Sequence, residues 1–199
     1  MIDSIRASFA ATARLYGDMA AALAEPTARA AELLIAALKA GGTLYVCGDG
    51  GSAAESQHIA GELVGRFLME RPALPCVALT TDTSILTAVA NDYDFARTFE
   101  RQVEALVKRG DVLWALSTSG SSPNVLKAAV LARRRGAKVL GMTGRGGGQL
   151  AELCDLCLCV PADTSPAIQE GHLTLIHILC RLVEEALFAG PRKPERQPT

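Results

Sequence analysis

Residues 43–64, TLYVCGDGGSAAESQHIAGELV, and residues 112–125, VLWALSTSGSSPNV, share one layout: an apolar run of strand length, a turn rich in glycine or serine, and the opening of a helix. An apolar run without polar alternation reads as a strand buried on both faces, and a helix after it returns the chain for a parallel neighbour. Three further runs of that length, Pro75–Leu79, Lys138–Met142 and Leu156–Val160, repeat the signal. Helical stretches are expected between them at 52–69, 95–108, 123–135 and 148–153, and an amphipathic helix from about Ala167 to Phe188 follows the last. Five strands separated by helices predict an α/β protein with a five-stranded, parallel, doubly wound sheet flanked by helices.

Upstream, residues 3–24 predict a long N-terminal helix. Ile5, Phe9, Thr12, Tyr16, Met19 and Leu23 recur at spacings of 4, 3, 4, 3 and 4, the seam of a coiled coil and so an expected assembly surface. Pro26 suits the first turn of a second helix, which runs through Leu33, Leu34, Ala37 and Leu38 and stops at Gly41-Gly42. At the other end, GPRKPERQPT carries three prolines and no apolar period, which predicts a disordered tail over 191–199. The expected organisation is one domain over 1–190, with residues 1–40 as its N-terminal helical extension.

Of the 199 residues, 49% are hydrophobic and only 5% aromatic, a mix that suits close helix-on-sheet packing. Twenty basic against 21 acidic residues leave a net charge of −1, which argues against a nucleic-acid surface. No apolar run approaches the ~18 residues of a membrane span. The opening MIDSIRAS carries Asp3 and lacks the apolar stretch of a signal peptide. A cytoplasmic protein with neither membrane nor nucleic acid as partner is expected. Six cysteines are too sparse for a disulfide scaffold. Cys154, Cys157 and Cys159 form a C-x2-C-x-C cluster, but Cys47, Cys76 and Cys180 are isolated and offer no second cluster for a zinc knuckle. The cluster reads as a buried strand that uses cysteine as a small apolar residue.

The first turn, Gly48 to Ala53, satisfies G-x-G-x-x-A after a strand, the form of a dinucleotide site. The nearest acid for a ribose, Asp82, lies 29 residues past Ala53, against about 20 in that fingerprint, so the dinucleotide reading is set aside. The second turn, Ser117 to Ser122, puts five hydroxyls and a glycine at the start of a helix whose Pro123 fits its first turn. Backbone N–H groups, hydroxyls and the positive helix end favour a phosphate there, and the absence of lysine excludes a Walker-type nucleotide loop. A phosphorylated small molecule is the expected ligand. His58 and Glu62 stand four apart on the helix after the first turn and share a face, as two metal ligands or as an acid and a base would. The last helix carries Gln169, Glu170, His172 and His177. His172 and His177 point about 140° apart and Gln169 and His177 about 80° apart, and spacing alone does not choose between these pairs.

GDGGSAAESQHIAGELVGRF (48–67), NDYDF (91–95), STSGSSPNV (117–125) and AIQEGHLTLIH (167–177) together resemble the phosphoheptose isomerases of the sugar isomerase (SIS) superfamily. The resemblance covers nearly the whole chain apart from the tail. It implies the SIS fold, a homotetramer, and conversion of D-sedoheptulose 7-phosphate to D-glycero-D-manno-heptose 7-phosphate, the first step towards the ADP-heptose of lipopolysaccharide. It implies zinc on His58, Glu62, Gln169 and His177, with Glu62 as base and His177 as acid. Asp49, Gly50, Gly51, Ser52, Glu62, Asn91, Asp92, Ser117, Thr118, Ser119, Ser122 and Gln169 are the implied substrate contacts, and His172 falls outside the set. Two departures stand out: Asp49 replaces the asparagine of the usual family turn, and Pro166 and Ala167 stand where polar residues are expected. The competing readings are a non-catalytic SIS protein that binds a sugar phosphate as a signal or contacts the replication initiator, and an isomerase of another phosphosugar. Retention of His58, Glu62, Gln169 and His177 together favours the enzyme.

Overall fold

The computed structural model describes residues 1–189, so the tail expected at 191–199 lies outside the described residues. Strands β1 (Leu44–Cys47), β2 (Cys76–Ala78), β3 (Val112–Leu116), β4 (Lys138–Thr143) and β5 (Leu156–Cys159) form one sheet in the order β2-β1-β3-β4-β5. Every pairing is parallel, with Leu44 opposite both Cys76 and Val112. Successive side chains of a strand point to opposite faces, and the apolar runs therefore feed two cores. Leu44, Val46, Trp114 and Leu116 pack on one side, whereas Tyr45, Cys47, Leu113 and Ala115 pack on the other. Helices α1 (Ile2–Lys39), α2 (Gly51–Val64) and α7 (Ser165–Phe188) contribute to the first core; α4 (Thr98–Leu106), α5 (Pro123–Arg134) and α6 (Gly148–Leu153) contribute to the second.

Three expectations about helices need correction. Pro26 does not begin a second helix but lies inside α1, which is continuous over 38 residues. Proline removes one helical N–H bond, yet Leu15, Met19, Leu23, Thr27, Ala30, Ala31 and Leu34 form one buried stripe across it, and that burial holds the helix together. The helix after β1 ends at Val64, not near residue 69, because Gly65 and the loop beyond it are drawn towards Glu184 of α7. The 95–108 helix is a 3₁₀ turn at Phe95–Arg97 followed by the shorter α4, with Asp94 accepting a hydrogen bond from the Ala96 N–H. A further helix, α3 (Thr83–Asp92), was not foreseen; its N-cap is Asp82, which accepts from the Ile85 N–H. The acid set aside as a ribose ligand is thus a helix cap.

On β5, Cys157 and Cys159 are half-buried with their sulfurs 3.7 Å apart, and Thr143 donates to Cys159. The adjoining Cys154 thiol and burial push Cys157 up to about 11, so it stays a neutral thiol near pH 7, as a packing residue would.

The sheet order positions the site. From β1 the chain moves outward to β2 and then crosses back to β3 on the other side of β1. The loops after β1 and β3 therefore diverge, opening the crevice in which open α/β sheets bind ligands.

Candidate functional site

Three elements meet over that crevice: the glycine turn after β1, the serine turn after β3, and the N-terminal half of α7. Each is tied to the other two. Asp49 in the first turn accepts a 2.7 Å hydrogen bond from the Asn124 amide at the start of α5. In the second turn, the Thr118 hydroxyl lies 3.3 Å from that of Ser165, the first residue of α7. Gln169 of α7 packs its amide on Gly51, where a Cβ would fall 2.7 Å from Gln169 Cδ and displace that amide. Asn124 and Ser165 were missed in the sequence; the usable signal for Asn124 was a polar residue, here 2% exposed, in the first turn of a helix.

Within the serine turn, Ser117 and Ser122 hydroxyls are 2.9 Å apart, and Ser121 donates to the Ser119 hydroxyl at 3.0 Å. Ser52 and Ser117 are buried, Thr118 and Ser122 half-buried, and Ser119 exposed at the mouth. Gly120 has φ +64° and its backbone lies against Gly147, so neither the turn conformation nor the packing admits a side chain there. Asn91 and Asp92 close α3, which packs on the 3₁₀ turn and α4; both are exposed, and Asn91 donates to Asp92 at 2.8 Å.

Further along the α2–α7 seam, the exposed His58 has its Nε2 2.9 Å from His177 Nε2 and 3.2 Å from Glu62 Oε1. His58 and Glu62 are one turn apart on α2, and His177 reaches them from α7. Phe67, from the loop after α2, stacks on the His177 ring with centroids 5.4 Å apart and planes 25° apart. The three donor atoms of His58, Glu62 and His177 lie within 4.8 Å of one another and form a group able to hold a metal ion. Around a tetrahedral zinc with bonds of about 2.0–2.1 Å, ligand atoms stand about 3.3 Å apart, so the 2.9 and 3.2 Å separations from His58 need only a small adjustment. Two imidazoles and one carboxylate also form the donor set that leaves a coordination position open for substrate. Gln169, expected as a fourth ligand, is two turns N-terminal of His177 on α7 and is packed on Gly51 at the other end of the seam.

The SIS domain family matches residues 9–144. A phosphoheptose isomerase of Rhodospirillum rubrum is 54% identical over 190 residues, covering 94% of this chain and 99% of its own. One from Pelobacter propionicus is 52% identical over 189 residues, covering 95% and 100%. Among solved structures, a phosphoheptose isomerase from Neisseria gonorrhoeae superposes with a TM-score of 0.87 at 43% identity, covering 92% of this chain and 98% of that one. The Francisella tularensis enzyme gives 0.89 at 38% identity, with the same coverage. These relatives cover 92% to 95% of the chain, and the chain belongs to the phosphoheptose isomerase family of SIS-domain proteins.

Proposed function

We propose that this chain is itself an aldose–ketose isomerase, converting D-sedoheptulose 7-phosphate to D-glycero-D-manno-heptose 7-phosphate through an enediol on the way to ADP-heptose and lipopolysaccharide. The supporting observation is the meeting of His58, Glu62 and His177 on the α2–α7 seam, with the hydroxyl-rich turn at the start of α7. The reaction moves a proton from C1 to C2 and needs a base at carbon, an acid at the carbonyl oxygen and a stabilised enediolate. Glu62 takes the C1 proton through the oxygen that does not face His58, and later delivers it to C2. His177, its ring held by Phe67, gives a proton to the C2 oxygen and takes one back from the C1 hydroxyl as the aldehyde forms. Zinc on His58, Glu62 and His177, when bound, supplies Lewis-acid polarisation of the sugar oxygens. Gln169 and Asp49 to Ser52 line the sugar, and Asn91 and Asp92 meet it from α3. Gln169, whose amide packs on Gly51, serves in this reading both as a substrate contact and as the fourth ligand.

Turnover of sedoheptulose 7-phosphate together with metal analysis tests the reading. The purified protein is expected to carry about one zinc per subunit; full zinc in a His58→Ala, His177→Ala double variant would place the metal elsewhere.

The Ser117–Ser122 turn and the start of α5 hold the phosphate, which stays unchanged through the reaction and so contributes equally to ground and transition states. Ser119→Ala is accordingly expected to raise KM more than it lowers kcat. An unchanged KM for the phosphorylated sugar would remove the turn from the phosphate site.

Residues 1–190 act as one cytoplasmic unit in this reading, and α1 builds a homotetramer. Among the described residues, no helix is long and apolar enough to cross a membrane. Of the seam expected on α1, Met19 and Leu23 are buried within the chain, whereas Ile5, Phe9 and Tyr16 remain 50%, 74% and 40% exposed. Tyr16 and Leu23 also line an apolar groove of about 370 Å³ with Ile178 and Leu182 of α7. Exposed apolar surface of this kind marks an assembly face. Sedimentation of a Phe9→Asp, Tyr16→Asp variant should show species smaller than the wild-type oligomer; an unchanged oligomer would exclude the seam.

A further inference from the structure

Between the Gln169–Gly51 contact and the His58–His177 pair, the α2–α7 seam contains another polar couple, which the isomerase reading leaves unused. His172 is 0% and Glu55 9% exposed. His172 Nδ1 faces Glu55 Oε2 at 3.6 Å, and neither atom has another hydrogen-bond partner. The opposite ring nitrogen, Nε2, lies 3.2 Å from the carbonyl oxygen of Thr143, the last residue of β4.

Valence decides where the hydrogens are. A carbonyl oxygen has no hydrogen to give, so Nε2 is the donor in its bond to Thr143. A neutral imidazole then has a bare lone pair at Nδ1, and that lone pair looks straight at a carboxylate oxygen. Two acceptors facing each other in a dry site each forfeit a hydrogen bond, a cost of about 1–3 kcal/mol apiece. One extra proton between Nδ1 and Oε2, carried on either atom, removes both losses at once and draws the two side chains together.

We propose that Glu55 and His172 share one proton, and that this link is a positioning device for the catalytic seam. It joins three elements at one point: α2 through Glu55, α7 through His172, and the sheet through Thr143. Glu55 stands three residues before His58 on α2, and His172 lies between Gln169 and His177 on α7. The spacing of the two helices at this link sets the approach of His177 to His58 and Glu62. Neither residue touches the sugar. The role in turnover rests on the isomerase reading, whereas the shared proton does not.

Two substitutions at one position separate the shared proton from simple packing. In Glu55→Gln, an amide N–H can donate to Nδ1 and replace the shared proton. In Glu55→Leu, a side chain of similar size leaves Nδ1 stranded. Glu55→Leu is expected to lower kcat about 10–100-fold, the scale of a misplacement of about 1 Å passed on to the reacting groups, with KM changed less than about threefold because the phosphate turn is untouched. Glu55→Gln should recover most of kcat. Wild-type kcat in Glu55→Leu, or equal damage in both variants, would overturn the positioning role.

The proton itself is read by NMR on protein with ¹⁵N-labelled histidine. Only three histidines are present, so signals are assigned by their loss in His172→Phe. A slowly exchanging, low-field proton bridging Nδ1 of His172 is expected in the wild type and should vanish in Glu55→Leu. Its absence from the wild type would overturn the shared proton outright. Should the wild type fail to isomerise the heptose phosphate, the functional reading falls, and the NMR result still decides this one.

Discussion

Glu62→Gln should leave folding and substrate affinity close to wild type, weaken metal binding and, with metal restored, lower kcat by about 10²–10⁴-fold, the range for loss of a general base. Glutamine keeps the size of the side chain and an oxygen facing His58, and removes the negative charge and with it the capacity to accept a proton at neutral pH. The other carboxylates near the strand ends are poorly placed for the task. Asp49 is engaged by the Asn124 amide at 2.7 Å, which makes it a brace between the two turns. Asp92 is exposed at the end of α3 and accepts from its neighbour Asn91. Glu62 alone shares a helix face with His58 and sits 21% exposed beside the pair formed with His177. The measurement is exchange of the C1 proton of sedoheptulose 7-phosphate with deuterated water on the zinc-replete variant, which isolates proton abstraction from product release. Exchange at the wild-type rate would move the base away from Glu62, and Asp92 and His177 would be tested next.

The same residues explain how far the sequence could be read. β3 lies at Val112–Leu116 as expected because a strand buried on both faces leaves an uninterrupted apolar run, and β1, β4 and β5 differ by one residue each. His58 and Glu62 were legible because i,i+4 spacing on a helix is a local fact. The approach of His177 was not, since it depends on how α7 crosses α2, and no periodicity contains that angle. Gln169 illustrates the difference: its direction on the helix permits a place in the ligand set, whereas the packing of its amide on Gly51 of the glycine turn is a contact that no spacing within α7 contains. The expectation that Pro26 starts a helix failed for a related reason. Local preference favours proline in a first turn, and the long-range burial of α1 outweighed it. The Asp49 departure turned out compatible with the site, because Asn124 supplies the donor that an acidic side chain requires.

The largest stability effect is expected at Glu184 and Arg71, two charged residues that no motif in the sequence singled out. Their side chains are 1% and 0% exposed, and Arg71 Nε donates to Glu184 Oε1 at 2.8 Å. Arg71 also donates to the carbonyls of Glu62, Leu63 and Pro72, which caps the C-terminal end of α2. Glu184 in turn accepts from the backbone N–H groups of Phe67, Leu68 and Met69. One buried carboxylate thus holds the loop that presses Phe67 on His177, so the fold and the site share an anchor. Removing one partner of a buried pair costs about 3–5 kcal/mol, and Glu184→Ala should lose at least that much in urea unfolding at fixed protein concentration. A double Arg71→Met, Glu184→Leu variant removes the unpaired charge but still strands three N–H groups. It should therefore recover only part of the loss, and full recovery would show that the loop does not need the carboxylate. Acid gives an independent check. Burial by itself raises the Glu184 carboxyl, but the N–H groups of Leu68 and Phe67, then Arg71 and Met69, outweigh it and hold the group below its ordinary value. A carboxyl lowered on folding stabilises the protein above its unfolded pKa, about 4.3, and that contribution fades as pH falls through the lower folded value. Wild-type stability should accordingly drop more steeply below about pH 4 than that of the double variant, which has no carboxylate to protonate at this position. Parallel acid profiles for the two would remove Glu184 as the anchor and leave the hold on Phe67, and with it the set of the His177 ring, to apolar packing.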